Sequence, residues 1–581
     1  MLIRDLKKRL IDLLKNKLGN EARLKGIAIE EPKNKKFGDL STNAAMVLAP
    51  VFKKSPMDIA EELKEEILSG WDEVENINIV KPGFLNFNLK KKYLAGALKE
   101  IAQKKERYGR NDSGKGIKIQ IEYVSSNPTG DLHIGHGRWG VLGDSLANIY
   151  RANGYEVQRE YYVNDHGSQA EIFTRCARAL YLEHFKKQAD YPEDGYPGEI
   201  VSVAVKKFIE KHQDSFLTAM VDEKDDTKSK DRQEKEGSAG AIKDRAVFKQ
   251  EIIKIMAAYI GETLSGMGVE FDRWFYESSL YKDDNFEKTV ADLKERDLVY
   301  DNDGALWFRA SKYGDEKDRV IVRGDGNPTY FASDIMYLES KAERGFDRML
   351  YVLGADHHGY VDRLMAVGRA LGLEEGRLEI IIGQLVNIVK DGQAIKMSRR
   401  KGKLYTLRDL VEEVGKDAVR YFFSSVSFDT PMDFDIGLAK QRSNQNPVYY
   451  IQYAHARIES IFKKIRETGP VNMDPADMSL EKFDYKGLEL KSDSEKQIAK
   501  TLILYPDIVR GSCTNNAPHI ITQYLFRLAT EFHHFYNKHR ILKDTKEGPV
   551  IEYGRVGLIL LIQSVLRNAL DLLNISAPEK M

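Results

Sequence analysis

Ile117-Lys-Ile-Gln-Ile-Glu-Tyr-Val124, then Ser125-Ser-Asn-Pro-Thr-Gly130, then His133-Ile-Gly-His136: this stretch decides the fold of the chain. Ile117, Ile119, Ile121 and Tyr123 alternate, which predicts a buried strand from Ile117 to Val124. The next six residues are breakers and polar turn formers, a loop. Beyond the histidines, Leu142, Leu146, Ile149 and Tyr150 fall at helical spacing, and Asn153-Gly154 supplies a left-handed stop. A second strand is expected from Tyr155 to Val163. The unit is strand–helix–strand, and its helix begins where backbone N–H groups and a partial positive charge favour phosphate. Two imidazoles at that end suit a nucleotide site, with Gly135 and Gly137 leaving room for base or ribose. His-x-Gly-His alone is a weak signal, and two surface histidines beside a turn are its usual reading.

Far downstream lies Lys396-Met-Ser-Arg-Arg-Lys-Gly-Lys403, after an apolar, strand-like run from Ile380 to Ile388. A cationic, small-residue loop of this kind can close over a pyrophosphate or simply sit in solvent. The two segments, each after a strand, specify more together than either does alone.

The pair resembles the HIGH and KMSKS motifs of class I aminoacyl-tRNA synthetases. More narrowly, Glu122 to Arg138, Tyr162-Val-Asn-Asp-His-Gly-Ser-Gln169, Tyr330-Phe-Ala-Ser-Asp334, Gly354-Ala-Asp-His-His-Gly-Tyr360 and Lys396 to Leu410 resemble the arginyl-tRNA synthetases. Lys36-Phe-Gly-Asp-Leu-Ser-Thr-Asn43 and Ala577-Pro-Glu-Lys-Met581 extend the likeness nearly end to end. One departure is visible: Arg399 stands at the second lysine of the motif and Arg400 at its last serine.

The resemblance implies ATP-dependent activation of L-arginine and transfer to tRNA(Arg). Neither step needs a protein nucleophile, so catalysis is positioning and charge stabilisation. His133 and His136 would donate to ATP phosphates, while Lys396 and Arg399 hold pyrophosphate. Arg399 keeps the charge but offers a planar fork in place of an ammonium. Gly135, Gly354, Asp356, His357, Met397 and Ser398 complete the expected ATP site. Asp356 and His357 follow a strand end, where open α/β sheets bind ligands. Glu122 and Asp334, with Tyr330, would face the guanidinium, and Ser125 and Asn127 the α-amino and carboxylate end. Either acid could instead be half of a structural salt bridge. Mg²⁺ would arrive with ATP, bound chiefly by substrate; no protein metal ligands and no zinc are expected.

Organisation follows from the same reading. The expected fold is multidomain α/β with a Rossmann-like parallel-sheet catalytic domain at 113–434, interrupted by an insertion at about 170–298 and carrying the basic loop at 396–403. Ala305–Phe308 and Val320–Arg323 are read as further strands of that pattern, followed by Met349–Leu353. Residues 1–112 form an added α+β domain, which the family applies to the tRNA elbow. Phe37 and Asn43 would touch a splayed base there, or else sit in the small core and cap a helix. Residues 435–581 form an all-α bundle that would hold the anticodon, with Tyr449, Tyr453 and Arg457 as stacking candidates, although aromatics at helical spacing are commonly core.

Composition sets outer bounds. At 581 residues the chain needs several cores. Its formal net charge is zero, so a nucleic-acid partner requires basic residues gathered on one face. No apolar run suits a bilayer, and Met1 to Asn20 is an amphipathic, lysine-rich pattern without a signal core. The two cysteines fit a reducing compartment. A cytoplasmic monomer is expected, and the charge-rich segment 221–240 is read as solvated.

Overall fold

The strand Lys118–Tyr123 forms the middle of a five-stranded parallel sheet in the computed structural model. Across the sheet the strands run Leu378–Gly383, Arg348–Gly354, Lys118–Tyr123, Glu156–Val163 and Arg273–Tyr276, every neighbouring pair parallel. The chain leaves the central strand in one direction for Glu156–Val163 and later returns to its other side with Arg348–Gly354. That reversal opens a crevice at the strands' carboxyl ends, the position where such sheets bind ligands. The crossover is the helix Ile134–Ala152, which ends at Asn153 and a left-handed Gly154. It lies close on the sheet because Gly143 lacks a side chain; a Cβ there would be 2.4 Å from the Tyr123 ring.

The structure describes residues 2–18, 24, 26–32, 34–221, 239–390, 393–395, 405–470, 472–474, 477–485 and 488–581. The basic loop Lys396–Lys403, with Lys396, Met397, Ser398 and Arg399, and most of the charged segment lie outside them.

The chain divides into two compact units, Ser113–Lys440 and Met1–Asp112 joined with Gln441–Met581. Three readings of the first unit change. Ile380–Ile388 is two strands: Leu378–Gly383 ends the parallel sheet, and Val386–Lys390 starts another, pairing with Gln393–Ile395 and Met432–Asp435. Ala305–Phe308 and Arg319–Val322 belong to a separate antiparallel sheet with Val299–Asn302. Short apolar runs carry no record of which partner they pair with. The parallel sheet also takes in Arg273–Tyr276, from inside the stretch read as an insertion. Its edge packs with Phe308, Ile335, Leu338 and Met349 in one apolar cluster.

In the other unit, an antiparallel sheet ordered Ile29–Glu30, Leu40–Thr42, Phe84–Leu89, Val74–Val80 carries helices including Leu2–Leu18 and Pro56–Gly70. The C-terminal part holds the helices Pro447–Thr468, Asp493–Thr514, His519–Lys538 and Tyr553–Leu572 plus a hairpin, Leu542–Thr545 with Gly548–Ile551. Glu31 and Asp39 bond across to Arg527, Lys496 and Lys500, and the Tyr108 hydroxyl donates to Leu502 O at 3.1 Å. Of the described residues, no helix is long and apolar enough to cross a membrane.

Candidate active site

Where the central strand ends, the backbone is strained. Val124 and Ser125 hold positive φ of 72° and 39°, costly for a β-branched residue. The bend brings Ser125 Oγ back to donate to Glu122 Oε1 at 3.0 Å. The loop then delivers His133 as the N-cap of the helix. His133 Nδ1 accepts from the His136 N–H, and His136 Nδ1 accepts from the His133 N–H, both at 3.3 Å. The rings stack 3.5 Å apart, and both meet Trp139 edge-on at 5.8 and 5.4 Å.

This reciprocal cap fixes the chemistry of both rings. With each Nδ1 accepting, the hydrogen-bond network assigns the proton of each neutral ring to Nε2. Burial pushes His136 down to about 3, with the neighbouring His133 adding to the effect. Burial also lowers His133, against the pull of Asp356. At neutral pH the site therefore offers two neutral N–H donors, which need no proton uptake before meeting phosphate.

A cavity of about 1800 Å³ opens in front of them at the sheet's carboxyl ends. It gathers Glu122, Ser125, Asn127, His133, His136, Tyr330, Asp334, Gly354, Asp356 and His357 on one wall system, although they come from segments far apart in sequence. Gly135 is not on that wall. It is a buried first-turn residue, and a Cβ there would lie 3.0 Å from His133 Cε1, so the glycine makes room for the imidazole. Gly354 plays a like part against Trp139, where a Cβ would come within 2.4 Å of the indole. Asp356 and His357 sit on the exposed turn after the strand, 3.5 Å apart.

At the other end the cavity turns acidic. Glu122 is balanced: its Oε2 is 2.5 Å from Lys341 Nζ, a fully buried ammonium lying against the rings of Tyr337 and Tyr351. Asp334 takes a hydrogen bond from the Tyr360 hydroxyl. Burial holds its carboxyl well above the usual range, helped by Glu277 and Glu122 and opposed by Arg363. Glu277, on the same wall, is pushed up to about 7, first by burial and then by Asp165, against hydrogen bonds from Ser333 and Tyr162. Tyr330 is half exposed, its hydroxyl 3.3 Å from Ser168 Oγ. Asn127 Nδ2 donates to Gln169 Oε1.

Glu277, Lys341 and Trp139 were missed in the sequence. Lys341 continues the helical face of Tyr330, Asp334 and Tyr337, a signal available to anyone extending that segment by two turns. Glu277 follows directly on the short strand Arg273–Tyr276, and recognising that strand would have placed it among the strand-end residues.

Glu277 carries a stability prediction. Its folded carboxyl titrates higher than an unfolded one, so the fold binds the extra proton. The associated stability is full below the ordinary glutamate range near 4.5 and is lost as pH rises through about 7. Glu277→Gln removes that loss. The ligand-free variant should gain about 1–3 kcal/mol over wild type at about pH 8 and little at about pH 5, read from thermal melts across pH.

The remaining candidates lie in the other unit. Phe37 is exposed on a short turn rather than held in a core. Asn43 precedes the helix Ala44–Phe52 without capping it. Its amide is engaged by backbone, accepting from Ala28 N–H at 2.8 Å and donating to Gly26 O at 3.0 Å, so it pins a loop instead of standing open to a base. Tyr449, Tyr453 and Arg457 form a half-exposed ladder: the rings stack at 6.1 Å and the guanidinium lies 4.6 Å over Tyr453.

Against known proteins, three families match in order along the chain. Arginyl tRNA synthetase N terminal domain covers residues 2–89, tRNA synthetases class I (R), catalytic domain covers 97–424, and DALR anticodon binding domain covers 451–581. The chain is 42% identical to arginine–tRNA ligase of Listeria monocytogenes over 97% of this chain and 95% of that one. It is 40% identical to the Bacillus subtilis enzyme of the same name, over 98% and 97%. Among solved structures, Thermus thermophilus arginyl-tRNA synthetase aligns over the whole of both chains with a TM-score of 0.71 at 21% identity, a likeness of fold.

Proposed function

This chain belongs to the arginyl-tRNA synthetase family, and on that premise we propose how its cavity carries out the reaction. The enzyme joins L-arginine to tRNA through an ATP-dependent class I mechanism. The arginine carboxylate attacks the α-phosphate of ATP, pyrophosphate leaves, and a terminal ribose hydroxyl of tRNA(Arg) then displaces AMP from the adenylate. ATP enters as its Mg²⁺ complex, its phosphates facing the Nε2–H groups of His133 and His136. Those donors strengthen as charge moves onto the leaving group, which is where preorganised hydrogen bonds accelerate a reaction. Lys396 and Arg399 serve the pyrophosphate, Met397 and Ser398 the nucleotide beside it. Gly354, Asp356 and His357 border the adenosine.

The guanidinium goes to Asp334 with Glu277, beside Tyr330, while Glu122 stays paired with Lys341. Ser125 and Asn127 serve the amino-acid end. The observation that carries this reading is a single cavity with neutral phosphate donors at one end and, at the other, two carboxylates, Asp334 and Glu277, with no ion pair among the described residues. Lysine would leave the planar fork's positions empty, and lost bonds to buried polar groups discriminate by roughly 10⁴-fold.

For tRNA, we assign 1–112 to the elbow and 435–581 to the anticodon, with 113–434 as the catalytic domain. Phe37 and the Tyr449–Tyr453–Arg457 ladder are the surfaces that stack on unpaired bases. We also read the chain as a monomer acting in the cytoplasm, and sedimentation with and without tRNA tests the monomer.

ATP–pyrophosphate exchange with each amino acid, with and without tRNA, tests the proposal. Exchange is expected with arginine alone and only when tRNA(Arg) is present, because contacts far from the sheet complete the site by induced fit. Robust exchange without tRNA overturns the coupling, and exchange with another amino acid overturns the pocket assignment.

A further inference from the structure

The acidic end of the cavity is built unevenly. Glu122 has Lys341, and Glu160, one strand away, has Arg344. Glu277 and Asp334 have no ion-pair partner among the described residues, although Glu277 is buried, Asp334 is half-buried and both face the same space. Their neighbours are hydroxyls and amides: Tyr360 donates to Asp334, Ser333 and Tyr162 bond Glu277, and the hydrogen-bond pattern sets the Asn164 amide nitrogen 2.8 Å from Glu277 Oε2.

Two ionised carboxylates without an ion pair in such a space repel each other, and the buried one is poorly solvated. Two neutral acids would leave this ring of donors without charged acceptors. One proton for two carboxylates satisfies both demands.

We infer that Glu277 and Asp334 hold one proton between them in the empty pocket, and that the guanidinium of arginine displaces it into solvent. The inference rests on the arginine reading of this cavity and adds an exchange of proton for ligand to it. The proton leaves one carboxyl, and the guanidinium's N–H groups then bond both carboxylates; no covalent bond to arginine changes.

The other groups facing the pair leave that balance in place. Around Asp334 stand Arg363, which draws its carboxyl down, Glu122, which pushes it up, and the hydroxyls of Tyr162, Tyr281, Tyr351 and Tyr360. Tyr337 flanks it on the same helix, its hydroxyl donating to Glu160. Around Glu277 stand Asp165, which also pushes up, and Ser333, Tyr162 and Tyr281. Arg363 is the one cation among them. A pocket so arranged favours ligands that carry a permanent charge, which ties Glu277 to specificity as well as to affinity.

Calorimetric titration of the full chain with arginine at about pH 7, in phosphate and in Tris, reads the released proton as a difference in heat. The expected result is about one proton released per arginine, with affinity weakening about tenfold per pH unit below the pair's titration. In Glu277→Gln the buffer difference should vanish while arginine still binds. Equal heats in the two buffers for the wild type overturn the inference, whatever the variant does. A buffer difference that persists in Glu277→Gln overturns it too, and points to a proton lost from arginine's own α-amino group. No arginine binding in either buffer, even with tRNA(Arg) added, overturns the pocket reading itself and the inference with it.

Discussion

Replacing Asp334 with asparagine should weaken arginine binding by about 2–5 kcal/mol, the usual cost of removing one partner from a desolvated, hydrogen-bonded charge pair. The side chain keeps its size, and Tyr360 still finds an oxygen to bond. What is lost is the negative charge that a buried guanidinium requires. Affinities for an ATP analogue and for tRNA should hardly change. A purely structural aspartate would behave otherwise, lowering thermal stability and damaging every ligand alike. Titration of the folded variant with arginine and with the ATP analogue separates the two, and unchanged arginine affinity would remove Asp334 from the pocket.

His136→Ala should lower the rate of arginine activation by about 10² to 10³, the typical effect of deleting one preorganised donor to developing charge. Two losses combine. The Nε2–H that faces phosphate disappears, and so does the Nδ1 that accepts from the His133 N–H and helps fix its neighbour. Because His136 is neutral throughout the physiological range, the wild-type pH–rate profile should show no limb from its protonation near 6.5. Single-turnover measurement of adenylate formation checks the rate, and tRNA binding serves as the control that should stay unchanged. Full activity in this variant would contradict the nucleotide end of the site.

Much of this was written in local pattern. The alternation of Ile117 to Tyr123 and the breakers after it predicted the central strand and the loop to within a residue or two. The spacing of Leu142 to Tyr150 predicted the helix, whereas Tyr330 to Asp334 was singled out by the family resemblance alone. Failures came where partners decide. Ile380 to Ile388 is one apolar run but two strands, because Gln384 bonds Phe428 and turns the chain between sheets. Ala305–Phe308 reads like any buried strand, yet its neighbours run antiparallel. Glu277 was hidden behind a four-residue strand within a helical insertion, too short for its period to show. That Lys341 pairs with Glu122, while Asp334 and Glu277 have no ion pair among the described residues, shows only in three dimensions. Carboxylates in a sequence do not say which of them already has a cation.

The most direct measurement is a crystal structure of the enzyme with a non-hydrolysable arginyl-adenylate analogue. The account predicts the guanidinium within hydrogen-bond reach of Asp334 and Glu277. It also predicts the phosphoryl group facing Nε2 of His133 and His136, with Glu122 still on Lys341. A guanidinium bound elsewhere in the cavity, or Glu122 released from Lys341 to meet it, would contradict the account.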